Sequence, residues 1–295
     1  MQARSHIEMN NAEPIPAVVQ TPLGSVEYAE FGEGPVVLAL HGAMGGYDQS
    51  LLLARTVGAA GFSYIGVSRP GFLGTPLASG KSSEQQANLC AALLDTLGVS
   101  SVLVMAVSGG GPCALQFALR HRQRCRGLVL VSTCGEKVET PIPFAFKLTM
   151  QLVRLPAFAR AIEKKARENF EAAASHSIPD PVLCARTLQD PEAGPLFTEL
   201  LRSTSDRMAQ RMPGTVNDIV VSRTTAYPLE AIAVPTLIVH GTEDRMVPFA
   251  IHARALTRIP GAELLAIEGG EHVSILTHRR EVQARVSRFL CEHEG

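Results

Sequence analysis

In the stretch Ala106-Val107-Ser108-Gly109-Gly110 a single hydroxyl follows a run of strand-forming residues and precedes three glycines and a proline. A serine between a strand and a helix, with small residues two places to either side, forms a sharp turn that lifts its hydroxyl above the edge of a sheet. Here alanine occupies the first small position and Gly110 the second. Ser108 is therefore the candidate nucleophile. A serine hydroxyl is a poor nucleophile until a base takes its proton, and that base must be oriented by a third group.

Of nine histidines, His272 in "EGGEHVSIL" has the right place, in a loop after the last apolar run and before the last helical segment. His41 and His240 precede glycines at strand ends, where packing or hydrogen bonding accounts for them. His121, His252, His278 and His293 read as helix-surface residues, and His6 and His176 fall in the leader and in a strand-poor region. The orienting acid is expected between the serine and the histidine in chain order. Asp244, on the turn "GTEDRMVP", fits; Glu243 beside it and Glu136 after the preceding apolar run are the alternatives, while Asp95 and Asp218 read as structural. Acyl transfer further needs N–H donors for the developing oxyanion. The turn from His41 to Gly46 and the residue after the serine supply them, as the amides of Ala43 and Gly109, with Met44 the neighbouring alternative to Ala43.

Other chemistries find little support. Neither "HGAMGG" nor "SGGGP" has the spacing of a phosphate-binding loop, and no His-x-x-x-His or Cys-x-x-Cys pair suggests a metal. No metal or organic cofactor is called for. A formal net charge of −1 gives no basic face for nucleic acid. The six scattered cysteines read as free thiols.

These residues must be held by a scaffold, and the chain alternates accordingly. "PVVLALHG", "FSYIGVSRPG", "SVLVMAVSGGG", "GLVLVST", "PTLIVHGTED" and "AELLAIEGG" are continuous apolar runs ended by turn residues, the form of strands buried on both faces of a parallel sheet, and "GSVEYAEFG" reads as a hairpin strand. Helix-like segments lie between them, over 49–60, 83–97, 112–121, 248–258 and 278–291. The fold class is α/β. With 46% hydrophobic and 19% charged residues in 295, the chain has the composition of a globular protein. No apolar run approaches the length of a membrane span, and the N-terminal residues lack the apolar core of a secretory signal, so a cytoplasmic location is expected. Residues 1–20 read as a flexible leader, 21–135 and 224–295 as the core, and 136–223 as a helical insertion in which Pro156 breaks or kinks a helix.

With "HGAMGG", "SRPGFLGTP", "AVSGGGP", "GTEDRMVP" and "GGEH" in this order, the sequence resembles the α/β-hydrolase superfamily from about residue 24 to 290. The resemblance implies a mostly parallel eight-stranded sheet with a helical cap inserted after the sixth strand. It also implies that Ser108, Asp244 and His272 are a catalytic triad, with Ala43 and Gly109 at the oxyanion hole. Serine at position 108 disfavours the branches that use an aspartate nucleophile. The expected activity is cleavage of a small or medium carboxylic ester or lactone through an acyl-enzyme. Carbon–carbon bond hydrolysis, perhydrolysis and ligand sensing with a slow or idle triad are the alternatives; Arg69 and Asp48 are candidates for the extra polar contact that a carbon–carbon substrate would need. The partner is a small apolar molecule, held in a pocket expected to include Met44, Phe144, Leu148 and Val247. A membrane-surface role for the insertion is disfavoured, and oligomeric state is left open.

Overall fold

The structure, a computed structural model, describes residues 14–139, 148, 150–153 and 155–295. Eight strands form one sheet: β1 (Ala17–Thr21), β2 (Gly24–Phe31), β3 (Val36–Leu40), β4 (Ser63–Val67), β5 (Val102–Val107), β6 (Cys125–Val131), β7 (Thr236–Gly241) and β8 (Glu263–Ile267). Their spatial order is β1-β2-β4-β3-β5-β6-β7-β8, with β1, β2 and β4 paired antiparallel and every later pairing parallel. β1 lies inside the segment expected to be a flexible leader. The short "TPLG" turn folds it back on β2, pairing Ala17 with Tyr28 through Thr21 with Gly24. It is an edge strand, buried only at Thr21 and partly at Val19, and its apolar run of three residues, Ala17 to Val19, is too short to stand out after Pro14 and Pro16.

β3 to β6 are buried along almost their whole length, which explains their unbroken apolar sequences. One face packs on α2 (Ser83–Thr96) and α3 (Gly111–Arg120), through Leu89, Leu93, Cys113 and Phe117. The other packs on α1 (Tyr47–Val57) through Leu51 and Val57. Between β6 and β7 the described residues form five helices and no strand: α4 (Pro156–Glu168), α5 (Phe170–Ser177), α6 (Pro181–Gln189), α7 (Ala193–Ser205) and α8 (Met208–Thr224). Pro156 begins α4 rather than breaking a helix, since the first helical position needs no N–H. The chain closes with α9 (Phe249–Leu256) after β7 and with α10 (Ser274–Thr277) and α11 (Arg279–Glu292) after β8. Among the described residues no helix is long and apolar enough to cross a membrane.

The strand order sets where a site can form. After β3 the chain passes to β4 on one side and then returns to β5 on the other, so the loops following β3 and β5 part at the carboxyl edge and leave a crevice between them. Gly111, the first residue of α3, has ordinary helical angles, yet a Cβ there would stand 1.8 Å from Thr133 Oγ1. Gly111→Ala is expected to lower stability by about 1–3 kcal/mol, the usual cost of overpacking. Urea unfolding midpoints measure it, and an unchanged midpoint would show α3 free to slide away from the loop after β6.

Candidate active site

Ser108 sits at the carboxyl end of β5 with φ at +49°, in the left-handed region that L-residues enter only where the surroundings compel it. Two features compel it. Gly110 packs so closely under β3 that a Cβ would lie 2.7 Å from the carbonyl oxygens of both Leu40 and His41. On the far side the Thr133 hydroxyl donates to the Ser108 carbonyl at 2.5 Å. Ala106, where the sequence departs from glycine, is fully buried in the core, and its methyl packs there beside Leu40 and Leu130. The departure is therefore accommodated without disturbing the turn.

The three residues singled out for chemistry lie 28 and 164 positions apart in sequence and meet in one chain of hydrogen bonds. His272 Nε2 stands 3.1 Å from Ser108 Oγ, and His272 Nδ1 is 2.8 Å from Asp244 Oδ2. With Nδ1 donating to the carboxylate, Nε2 is left as the acceptor for the serine proton. Asp244 is 4% exposed. Its Oδ1 accepts the N–H groups of Met246 and Val247, each at 2.9 Å, so the carboxylate is fixed by its own turn. Burial pushes the Asp244 carboxyl up, but hydrogen bonds from His240, His272 and the Val247 amide outweigh it and hold the group well below the usual carboxylate range. His240, read from sequence as a packing residue, is fully buried with Nε2 2.7 Å from the Val247 carbonyl and 3.4 Å from Asp244 Oδ2. Glu136, the alternative acid, is instead tied to Arg258 at 2.7 Å, and Glu243 is exposed.

Across the crevice lies the turn from His41 to Gly46. The Met44 amide donates to Thr215 Oγ1 at 2.9 Å, whereas the amides of Ala43 and Gly109 have no acceptor among the described residues. That separates Ala43 from its neighbour as the open donor. Fully buried His41 supports the turn from below: its Nδ1 donates to the Gly42 carbonyl at 2.6 Å and its Nε2 accepts the Arg69 amide at 3.0 Å. Burial, reinforced by the Arg69 charge, drives its pKa well below the ordinary histidine value, so this imidazole stays neutral.

Helix α8 lies on the same turn. Three residues on one helical face, Arg211, Thr215 and Asp218, bond to the core. Arg211 is fully buried and grips both oxygens of Asp48, at 3.1 and 2.5 Å. Asp218 binds the buried Arg69 side by side, at 2.7 and 2.6 Å. Burial pushes the Asp218 carboxyl above its ordinary value against the pull of Arg69. Pro213 lacks an N–H and the Gly214 amide leaves the helix to bond the Gly71 carbonyl at 2.8 Å, so α8 approaches the 68–76 loop closely. Arg69 and Asp48, considered from sequence as ligands for a substrate, are thus committed to α8. The Pro-Gly pair inside a helix was the available signal for this docking; the ion-pair partners had none.

Of the expected pocket residues, Met44 is half-buried and packs against Val153, Ala159 and Met212, together with Met150 and Met208. Val247 is half-buried beside Asp244, Leu148 is 48% exposed, and Phe144 lies outside the described residues.

Comparison with known proteins places this arrangement. A protein of Nakamurella multipartita described as an alpha/beta hydrolase fold protein is 31% identical, with a TM-score of 0.76 over 94% of this chain and 98% of that one. An enol-lactonase from Burkholderia xenovorans has a TM-score of 0.68 over 93% and 100% of the two chains, at 17% identity, a likeness of fold. A 2-hydroxy-6-oxononadienedioate/2-hydroxy-6-oxononatrienedioate hydrolase of Burkholderia vietnamiensis is 28% identical over 283 residues, 90% of each chain. Residues 35–279 match the family defined by the alpha/beta hydrolase fold. The chain belongs to the α/β-hydrolase fold family.

Proposed function

We propose that this protein is a serine hydrolase that cleaves a small or medium carboxylic ester or lactone through an acyl-enzyme. The observation that carries the reading is the unbroken chain Ser108–His272–Asp244 facing two open amides across one crevice. Ser108 Oγ attacks the substrate carbonyl as its proton passes to His272 Nε2. The Ala43 and Gly109 amides take up the charge on the carbonyl oxygen. The imidazolium, held by Asp244, then gives its proton to the departing alkoxide. Water, deprotonated by the same imidazole, attacks the acyl carbon, and collapse returns Ser108 and releases the acid. The insertion helices serve as a cap over an apolar pocket that includes Met44.

Carbon–carbon hydrolysis is a second reading, favoured by the 28% identity to a relative whose name gives it a dienedioate substrate. Turnover of p-nitrophenyl esters from acetate to decanoate, with products identified, tests the first reading; cleavage of a vinylogous diketone with inertness to esters would support the second.

Ser108→Ala is expected to lower kcat on such esters by about 10⁴-fold or more and to abolish labelling by a fluorophosphonate, read by intact mass, in a protein of unchanged circular dichroism. Retained turnover would exclude Ser108 as nucleophile. Asp244→Asn is expected to cost about 10³–10⁴-fold in kcat, because the imidazole loses its tautomer and its counter-charge. The same substitution has a pH signature. The folded-state pKa of Asp244 lies below the ordinary 3.8, so the stability it contributes is complete above that value and is lost as pH falls through the depressed one. The gap between wild-type and Asp244→Asn urea midpoints should narrow as pH falls below about 4; a gap that goes on widening there would contradict the assignment.

A further inference from the structure

The second buried carboxylate near Ser108 has no part in that mechanism. Asp218 is 8% exposed and comes from α8, the insertion helix laid on the oxyanion turn. The position a Cβ would take on Gly109 is 2.7 Å from Asp218 Oδ2 and 3.4 Å from the Ala43 nitrogen. The carboxylate thus borders the same small volume as the two residues whose amides face the reacting carbonyl. Its partner Arg69 has nothing left to offer a ligand. Nε donates to the His41 carbonyl at 3.0 Å, Nη1 to Gln86 Oε1 at 3.2 Å and Asp218 at 2.7 Å, and Nη2 to the Gly42 carbonyl at 3.2 Å and Asp218 at 2.6 Å. Those are all five donors of a guanidinium.

The other fully buried arginine of the described residues is committed as well. Arg211 spends itself on both oxygens of Asp48 and on the carbonyls of Asp206 and Met44. The side chains packed around Met44, next to Ala43, are apolar and adaptable: Met150, Met208 and Met212 gather there with Val153 and Ala159, and thioether chains reshape to fit varied apolar groups.

We infer that Asp218 is a specificity-determining residue, which restricts the site to neutral substrates with a flexible apolar acyl group and excludes those carrying a carboxylate close to the scissile carbonyl. This rests on the serine-hydrolase reading and narrows it. A substrate carboxylate entering near the carbonyl meets buried Asp218 at short range, where all five donors of the adjacent Arg69 are already taken. A dioate such as the one named for the 28% identical relative would need a cation beside the carbonyl, and Arg69, the buried cation there, is already paired with Asp218.

Isosteric boronic acids test the inference without depending on turnover. 3-Methylbutylboronic acid and 2-carboxyethylboronic acid have the same shape, and only the second carries a carboxylate. With each, a bond forms between Ser108 Oγ and boron while the hydroxyl proton passes to His272, leaving a tetrahedral boronate where the oxyanion would develop. Dissociation constants come from titration calorimetry on wild type, on Asp218→Asn, and on the paired variant Arg69→Gln with Asp218→Asn, which leaves no buried charge unpaired if the single variant fails to fold. Wild type is expected to bind the neutral compound at least about 30-fold more tightly, given like charges in a desolvated site. Asp218→Asn, with the Arg69 fork released, should shrink that ratio by about 10-fold or more, and the paired variant by less. A ratio near one in wild type, or one unmoved in the folded variants, overturns the role of Asp218 and leaves the nucleophile intact. Failure of both compounds to bind wild type overturns the serine-hydrolase reading itself.

Discussion

Ser108 keeps φ at +49° because the backbone around it has nowhere else to go. An L-residue held in that region costs about 1–3 kcal/mol, which the fold must offset from contacts elsewhere. Here Gly110 is wedged beneath the carbonyls of β3, Gly111 against Thr133, and Ala106 is sealed in the core. These contacts require β3, β5 and β6 to be adjacent and parallel, and that adjacency requires helices on both faces of the sheet. The turn that presents the hydroxyl is thus the point at which the packing of the whole sheet is felt.

The oxyanion turn is held differently, from above. Arg211, Thr215 and Asp218 on α8 each bond to the turn or to the residues supporting it, and two of these three contacts are ion pairs, buried at both partners for Arg69 with Asp218 and half-buried at Asp48 for Arg211. Such pairs add little net stability over apolar residues of equal size, but breaking one by removing a partner costs about 3–5 kcal/mol. Their effect is to fix register: α8 cannot shift by a turn without leaving Arg69 buried and unpaired and parting Arg211 from Asp48. One side of the crevice is therefore set by sheet packing and the other by charge, and the separation between Ser108 and the Ala43 amide depends on both.

Much of this was legible in the sequence because it was local. Continuous apolar runs declared β3 to β8, buried throughout most of β3 to β7 and largely exposed at the edge strand β8, and a serine, an acid and a histidine at the ends of such runs declared the hydrogen-bonded chain. β1 was not legible, since Pro14 and Pro16 precede it and Gln20 and Thr21 end it, which leaves only Ala17 to Val19 as an apolar run. Nor were the pairings of Arg69 with Asp218, 149 positions apart, and of Asp48 with Arg211, 163 apart. Nothing local in a charged residue says which distant partner will neutralise it. His240 likewise reads as a strand-end residue until β7 and its following turn bring it against Asp244.

Two buried carboxylates flank Ser108, and the chemistry demands opposite behaviour from them. Asp244 has only histidines and backbone amides for partners, so its charge is balanced only when His272 gains a proton. In the proposed mechanism it stabilises the imidazolium that proton transfer creates. Asp218 lies on the side where negative charge develops on the substrate, and an unpaired carboxylate there would raise the barrier. Its bidentate bond to Arg69 turns the charge into a dipole whose field falls off more steeply with distance. The pair remains tolerable to an oxyanion held by the Ala43 and Gly109 amides. Under the proposed specificity a second full negative charge on the substrate would gain no such compensation from Arg69, whose five donors are all taken.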